Sequence, residues 1–368
     1  MTDQSKEISF IISSLSGGGA EGVCVNIANG LADIGWNVTL IVLHLNDPVY
    51  QDKLNEKVNL VVLGVKHARH SFIPLYRHIK NNKLKMLVAF NYELAVILQI
   101  LKTFTTLNYF LIARNINTLS KANEQSVPFL QHFIYRPIVN HFYRKVNHII
   151  NQCEGMRRDL VEFYPELKNR TSVIYNPVNQ LVEEYADKTD LFKLEKQDYI
   201  LCVGRLEKQK AFHYAIEAFA KISYKHPTVR LKLVGKGSLE NSLKEQAGRF
   251  GVADRVDFEG FKKDTIQYYI YAKATLLTSL YEGFPNVLIE SITLGTPVIA
   301  FNCKSGPDEI VIEGFNGYLI DECNIEKTSK ALDNELLNPL ERNHICLSSN
   351  KYKVYLIVAE WEKLLISL

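Results

Sequence analysis

No two of the six cysteines (Cys24, Cys153, Cys202, Cys303, Cys323 and Cys346) stand closer than twenty residues, so the chain has no Cys-x-x-Cys pair and no zinc-knuckle spacing. They read as small buried hydrophobes of a reducing compartment. No apolar run approaches the roughly 18 residues of a membrane span. The opening MTDQSKEISFIISSLSGGG has no basic segment ahead of its short apolar stretch, and reads as a first strand rather than a signal peptide. Asp-x-Asp is absent, as is Gly-Lys-Ser/Thr, which removes the common signs of a metal-bridged diphosphate and of a P-loop. Two histidines, His67 and His70, stand three apart, and are explained by an exposed basic helix. No metal site is expected, and the expected location is cytoplasmic.

What is present is ordinary globular material, 368 residues with 47% hydrophobic and 23% charged content, enough for two domains. Charge is uneven along it. Residues 60–158 carry 14 lysines and arginines against 3 acids, a net +11, in a chain whose total is +3.

Hydrophobic periodicity gives the architecture. ISFIISSL, SGGGAEG and NVTLIVLHL read as strand, glycine turn and strand, with a helix between whose apolar face is Val23, Ile27, Leu31 and Ile34 and whose end is Gly35. VNLVVLG, KMLVAF, NYFLIAR and VNHIINQ continue the alternation of strand and helix. After a polar stretch at 179–198, a linker by composition, the cycle restarts with YILCVGR, RLKLVGKG, RVDFEGF, ATLLTSL, TPVIAFN and GYLI. The expected fold class is therefore α/β, two Rossmann-like doubly wound domains facing a cleft, with ligands beyond the carboxyl ends of the strands. The expected domains are 1–190 and 198–345. A terminal helix at 346–368, with Val358, Trp361, Leu364 and Leu365 on one face, follows them.

Several strand ends carry polar or glycine-rich turns. YEGFPNVLIE places Glu282 and Glu290 around a Gly283-Phe284-Pro285-Asn286 turn, with Pro285 expected as the first helical residue. The amides near Asn286 and Val287 would then offer the positive end of a helix to a phosphate, while Glu290 could accept two hydroxyl hydrogen bonds from a diol. Equally, one glutamate could cap the helix and the other be a solvated charge. CVGRLEKQK sets Arg205 and Lys210 after a strand, either as a diphosphate clamp or as a solvated basic pair. Gly17, Gly18 and Gly19 allow close backbone approach after the first strand. VGKG, with Gly235, and FEGF, ending at Phe261, either offer main-chain groups to a base or are plain turns.

The order GGGAE, GRLEKQK, VGKG, FEGF, YEGFPNVLIESITLGTPVIAF and SGPDEI resembles the retaining glycosyltransferases of family 4, which have the two-domain GT-B fold. The resemblance covers nearly the whole chain and is strongest from 199 to 321. It implies that Arg205 and Lys210 hold the diphosphate of a nucleotide-sugar donor and that Glu290 binds ribose. It further implies that Glu282 and the amides of Pro285–Val287 meet the transferred sugar and its phosphate, and that Gly17–Gly19 close over the phosphate. Where many members carry a first-domain histidine near the sugar, the matching stretch here is FLIARNINT, which puts Arg114 and Asn115 in that place. Ala211 stands where a glycine commonly follows the lysine.

The implied reaction moves a hexose or N-acetylhexosamine from a nucleotide sugar, by preference UDP-linked, to a glycan or lipid-linked glycan in surface-polysaccharide assembly, with retention and without a metal. Alternatives are a relative acting on the sugar nucleotide alone, as an epimerase or hydrolase, and a non-catalytic scaffold of the same fold. The basic segment 66–158 interleaves Lys, Arg and His with Phe, Tyr and Ile. It is read as a peripheral surface for an anionic membrane, against the plainer reading of a solvated basic face. No nucleic-acid motif accompanies it.

Overall fold

A computed structural model describes residues 6–116 and 136–368, and the chain divides into two compact units, Met1–Pro177 with Val354–Leu368, and Val178–Lys353.

The first unit is built on seven strands: β1 (Glu7–Ile12), β2 (Asn37–Val42), β3 (Asn59–Val62), β4 (Met86–Ala89), β5 (Phe110–Arg114), β6 (His148–Asn151) and β7 (Thr171–Val173). They lie in the order β3-β2-β1-β4-β5-β6-β7, and every pairing is parallel. Helices cover both faces, so central strands are apolar throughout rather than alternating: Phe10, Ile112 and Ile150 feed one core, and Ile11, Leu111 and Ile149 the other. The helix Gly19–Asp33 ends at Ile34 and then Gly35 at φ 89, a left-handed stop that glycine takes without strain. The terminal helix Val354–Ser367 belongs to this unit and buries Ile357, Val358, Trp361 and Leu365. It lies close because Gly30 has no side chain, and a Cβ there would stand 2.3 Å from Val358 Cγ2.

The second unit has β8 (Tyr199–Val203), β9 (Arg230–Val234), β10 (Val256–Gly260), β11 (Ala274–Leu277), β12 (Val298–Phe301) and β13 (Gly317–Ile320). Their order, β10-β9-β8-β11-β12-β13, reverses direction between β8 and β11, the switch point at which such sheets bind ligands.

Three expectations need correction. Strand β7 is missing from the sequence reading because Thr171–Val173 is three half-buried residues with no apolar run. The polar stretch read as a linker holds a helix, Gln180–Lys188, capped by the Asn179 side chain, which accepts from the Leu181 amide. It packs on the helix Asn286–Thr293 through a buried face that includes Val182, which moves the boundary of the first unit from 190 to 177. One turn of apolar residues in a mostly solvated helix is too faint to separate it from a linker. Finally, His67 and His70 flank a single 3-10 turn, Ala68–His70, rather than a longer helix. No helix of the described residues is long and apolar enough to cross a membrane.

Candidate active site

The site of the second unit is assembled from the turns that follow β8, β9, β11 and β12. Each turn is locked to its neighbours by backbone bonds. Gly204 N donates to Val234 O (2.9 Å), Leu206 N to Lys236 O (3.0 Å) and Leu239 N to Leu206 O (3.0 Å), which ties the turn after β8 to the one after β9. On the other side Leu280 N donates to Gln209 O (2.9 Å) and Gln209 Nε2 to Tyr281 O (3.0 Å). Tyr281 and Lys304 form a parallel bridge that joins the turns after β11 and β12.

Of Arg205, Lys210 and Glu282, the last two meet here. Lys210 Nζ and Glu282 Oε1 are 2.6 Å apart, and both side chains are largely withdrawn from water. The geometry follows from local backbone. Ala211 sits at φ 46 and ψ 42, turning the chain sharply into the helix Phe212–Ile222, while Thr278 Oγ1 donates to the carbonyls of Lys210 (3.0 Å) and Ala211 (3.2 Å). That conformation accounts for the glycine common at this place, since a left-handed non-glycine residue costs about 1–2 kcal/mol. Gly204 matters for the same side chain: a Cβ on it would lie 3.0 Å from Lys210 Cε. Buried beside the pair, the Cys303 thiol is pushed above its ordinary range, first by burial and then by the Glu282 carboxylate.

Arg205 is exposed on the same turn, touching Gln209 Oε1 at 3.3 Å. Glu290, in the fifth position of the helix Asn286–Thr293, lies against the Tyr269 hydroxyl, whose pKa burial and this carboxylate raise well above the usual value. Pro285 is the cap of that helix (φ −78, ψ 94) rather than its first residue, and Leu288 N donates to its carbonyl (3.0 Å). This corrects the expected helix start by one position. The amide end of the helix, at Asn286 and Val287, emerges just beyond Gly283 and Phe284. The turn after β12 closes against it: Ser305 and Gly306 are both left-handed, and a Cβ on Gly306 would be 2.7 Å from Pro285 Cδ and 3.0 Å from Gly283 O.

Gly235 lies at the end of β9 with φ 149, but its amide is already used by Gly260 O (2.9 Å). Phe261 follows β10 with 54% of its surface exposed. In the first unit Gly17, at φ 100, and Gly18 lead into the helix that starts at Gly19, at the carboxyl end of β1.

Arg114 and Asn115 do not take the place expected for them. Arg114 is 1% exposed, its guanidinium lying over Phe90 and Trp361 and donating to Asn176 Oδ1 (2.7 Å), and burial lowers its pKa to about 9. Asn115 donates to Asn151 Oδ1 (2.8 Å) and accepts from the Tyr143 hydroxyl. Both are internal to the unit, so the expectation that they contact a sugar is corrected. The resemblance put them near the sugar, but Arg114 is covered by the terminal helix carrying Trp361. Sequence reading also missed Gln209, which spans Arg205 and the turn after β11. Its only signal was a polar residue inside the cationic stretch.

Two parallel α/β units, the second with a cationic turn, a Lys–Glu pair and a helix amide end at its strand termini, define a GT-B glycosyltransferase. Residues 17–180 match the family described as Glycosyltransferase Family 4 and residues 184–352 the one described as Glycosyl transferases group 1. A glycosyltransferase of Haemophilus influenzae is 30% identical over 98% of this chain and 100% of its own length. The chain belongs to the family 4 glycosyltransferases. The Campylobacter jejuni N-acetylgalactosamine-N,N'-diacetylbacillosaminyl-diphospho-undecaprenol 4-alpha-N-acetylgalactosaminyltransferase is 26% identical over 86% of each chain. Anabaena HepE, solved with UDP-glucose, superposes with a TM-score of 0.75 at 19% identity, over 98% of this chain and 100% of that one, which shows the shared fold.

Proposed function

We propose that the chain transfers a hexose or N-acetylhexosamine from a UDP-sugar to a glycan or lipid-linked glycan acceptor, with retained anomeric configuration, in surface-polysaccharide assembly. Relatives support the class of acceptor and process: two Campylobacter proteins are named for transfer onto undecaprenol-diphosphate glycans, and others for amylovoran and lipopolysaccharide core synthesis. UDP is favoured by the complexes of HepE with UDP and with UDP-glucose.

The observation that carries the reading is the convergence of Arg205, Lys210, Glu282, Glu290 and the amide end of Asn286–Thr293 at one set of strand ends. Arg205, Lys210 and the helix amides would neutralise the diphosphate, Glu290 would take the ribose hydroxyls, and Glu282 would orient the sugar. In the reaction the bond from the anomeric carbon to the phosphate oxygen breaks. A bond to the acceptor oxygen forms on the same face, and the departing phosphate receives the acceptor's proton. Charge growing on that phosphate is stabilised by the two cations, so no resident metal or organic cofactor is invoked.

The test is a panel of UDP-, GDP- and ADP-sugars followed by thermal unfolding and by transfer to a lipid-linked acceptor, with and without EDTA. UDP-sugars are expected to stabilise the fold, by about 2.7 kcal/mol at a hundred times Kd, and transfer is expected to survive EDTA. Absence of stabilisation by any nucleotide sugar would reject the reading, and consumption of donor without transfer would identify a hydrolase instead.

We further infer that the basic segment 66–158 docks on an anionic membrane at the cytoplasmic face. Phe72 and Ile73 are exposed on the helix Phe72–Asn82 beside Arg69, Arg77 and Lys80, and Phe104 is 72% exposed. Residues 117–135 of this segment, Lys121 among them, lie outside the described residues. Co-sedimentation with vesicles containing anionic lipid, lost in neutral vesicles and at high salt, is the expected result; equal partitioning in all three would remove the inference.

A further inference from the structure

Within the second unit, the turn after β12 holds a residue that its own packing does not explain. Ser305 stands at φ 72, in the left-handed region that glycine takes freely and that other side chains enter only under strain. Its side chain makes no compensating bond: the residue is 7% exposed, and its hydroxyl oxygen has no hydrogen-bond partner among the described residues. A buried hydroxyl left unpaired is unfavourable in its own right. The other left-handed non-glycine residues of this unit do not combine the two features, since Ala211 has no polar side chain and Cys323 is exposed. Strain and an unsatisfied buried group together at one residue point to a functional position.

Its two neighbours fix where it stands. Lys304, on one side, bridges to Tyr281, the residue before Glu282. Gly306, on the other, is seated against the entry to the helix Asn286–Thr293, where an added Cβ would meet Pro285 Cδ at 2.7 Å, Gly283 O at 3.0 Å and Phe284 Cα at 3.2 Å. The turn is closed behind it by the Glu309 amide, which donates to Gly306 O (3.1 Å). Ser305 is therefore held between two contacts that span the segment from Tyr281 to Pro285. That segment carries Glu282 and leads into the amide end of the helix, to which Pro285 supplies no side-chain cap.

We propose that Ser305 is a donor-binding residue whose hydroxyl donates a hydrogen bond to a phosphate oxygen of the nucleoside diphosphate at the amide end of Asn286–Thr293. A serine hydroxyl turns about one bond toward whatever acceptor is present, and an anionic oxygen makes the stronger bond. Arg205 and Lys210 come to the diphosphate from the turn after β8 and the helix amides from the turn after β11. Ser305 adds a neutral donor from the turn after β12. Bound diphosphate satisfies the hydroxyl that the protein alone leaves unpaired, so the strain at φ 72 is offset only in the complex. The inference rests on the reading of the site as a nucleotide-sugar site.

Ser305→Gly removes hydroxyl and strain together, so stability and binding should move in opposite directions. The thermal midpoint, affinity for UDP, GDP, ADP and UDP-glucose by calorimetry, and kcat/KM for the donor are measured on the full chain. S305G is expected to raise the midpoint by about 2–4 °C, the shift that relief of one strained residue gives in a unit of this size. It is also expected to weaken the nucleoside diphosphate that wild type binds best by about tenfold, as for one lost hydrogen bond to a charged group. Ser305→Ala keeps the left-handed backbone without the hydroxyl, and should bind as weakly as S305G without the gain in midpoint. Cys323→Gly, the control, relieves a left-handed residue in the turn after β13 and should leave affinity and kcat/KM within twofold of wild type. Diphosphate affinity within twofold in both S305G and S305A overturns the proposal. So does a lower midpoint in S305G, which would mean that the hydroxyl is bonded within the protein, and so does a loss confined to UDP-glucose, which would put the hydroxyl at the sugar. None of those results touches the reading of the site itself; a wild type that binds no nucleoside diphosphate is the result that overturns that reading.

Discussion

Lys210→Met is expected to lower transfer by about a hundred- to a thousandfold, the loss usual for removing one group that stabilises charge in a transition state. Two effects are combined in that variant, because the lysine also neutralises Glu282 at 2.6 Å in a site almost closed to water. Removing either partner leaves an uncompensated charge, a change that costs on the order of 3–5 kcal/mol when burial is deep. Glu282→Gln should therefore destabilise the second unit as well. The double variant separates structure from chemistry. With both charges gone the pair becomes two neutral side chains of nearly the same shape, so urea midpoints should return to within about 1 kcal/mol of wild type, while transfer stays lost. Activity above a tenth of wild type in either single variant would contradict the placement of this pair at the reacting bond. A double variant no more stable than the singles would show that they do not interact in the way the distance implies.

Gly235→Ala is expected to produce the largest loss of stability of any single methyl addition to this site. Its φ of 149 already disfavours a side chain, and the added Cβ would stand 1.8 Å from the Gly204 carbonyl oxygen. That oxygen cannot withdraw, because Gly204 N is bonded to Val234 O and the next turn is held by Leu206 N on Lys236 O. Two strand ends would have to separate, and the cost should exceed about 4 kcal/mol, the range reserved for changes that break a backbone constraint. Chemical unfolding monitored by circular dichroism would measure it. Gly248→Ala, in a helix where a Cβ meets nothing within 4 Å, is the matched control and should be neutral or mildly stabilising. Comparable behaviour of the two variants would show that the interlocked turns are not what holds these strand ends together.

Most of the strands were legible in the sequence because a parallel sheet buried on both faces writes itself as short continuous apolar runs. ISFII, NVTLIV and YILCV could be read in this way. Thr171–Val173 could not, since its three residues are half-exposed at the sheet edge and carry no such run. The site shows the same division. Arg205, Lys210, Glu282 and Glu290 were visible as charges at strand ends, but nothing in their spacing revealed that Lys210 and Glu282, seventy-two positions apart, would neutralise each other. Arg114 failed in the opposite sense. The resemblance to the family put it near the sugar, but the terminal helix, distant in sequence, lays Trp361 over it.

The sequence by itself determined the element types, their order and the chemistry available at each strand end, because periodicity, glycine and proline act within a few residues of themselves. Which of those groups face one another, which are covered, and that the Ser305 hydroxyl is buried without a partner were decided only by the tertiary structure. The physical reason is that burial and pairing depend on residues far apart in the chain, and a local pattern holds no record of what will come to lie against it.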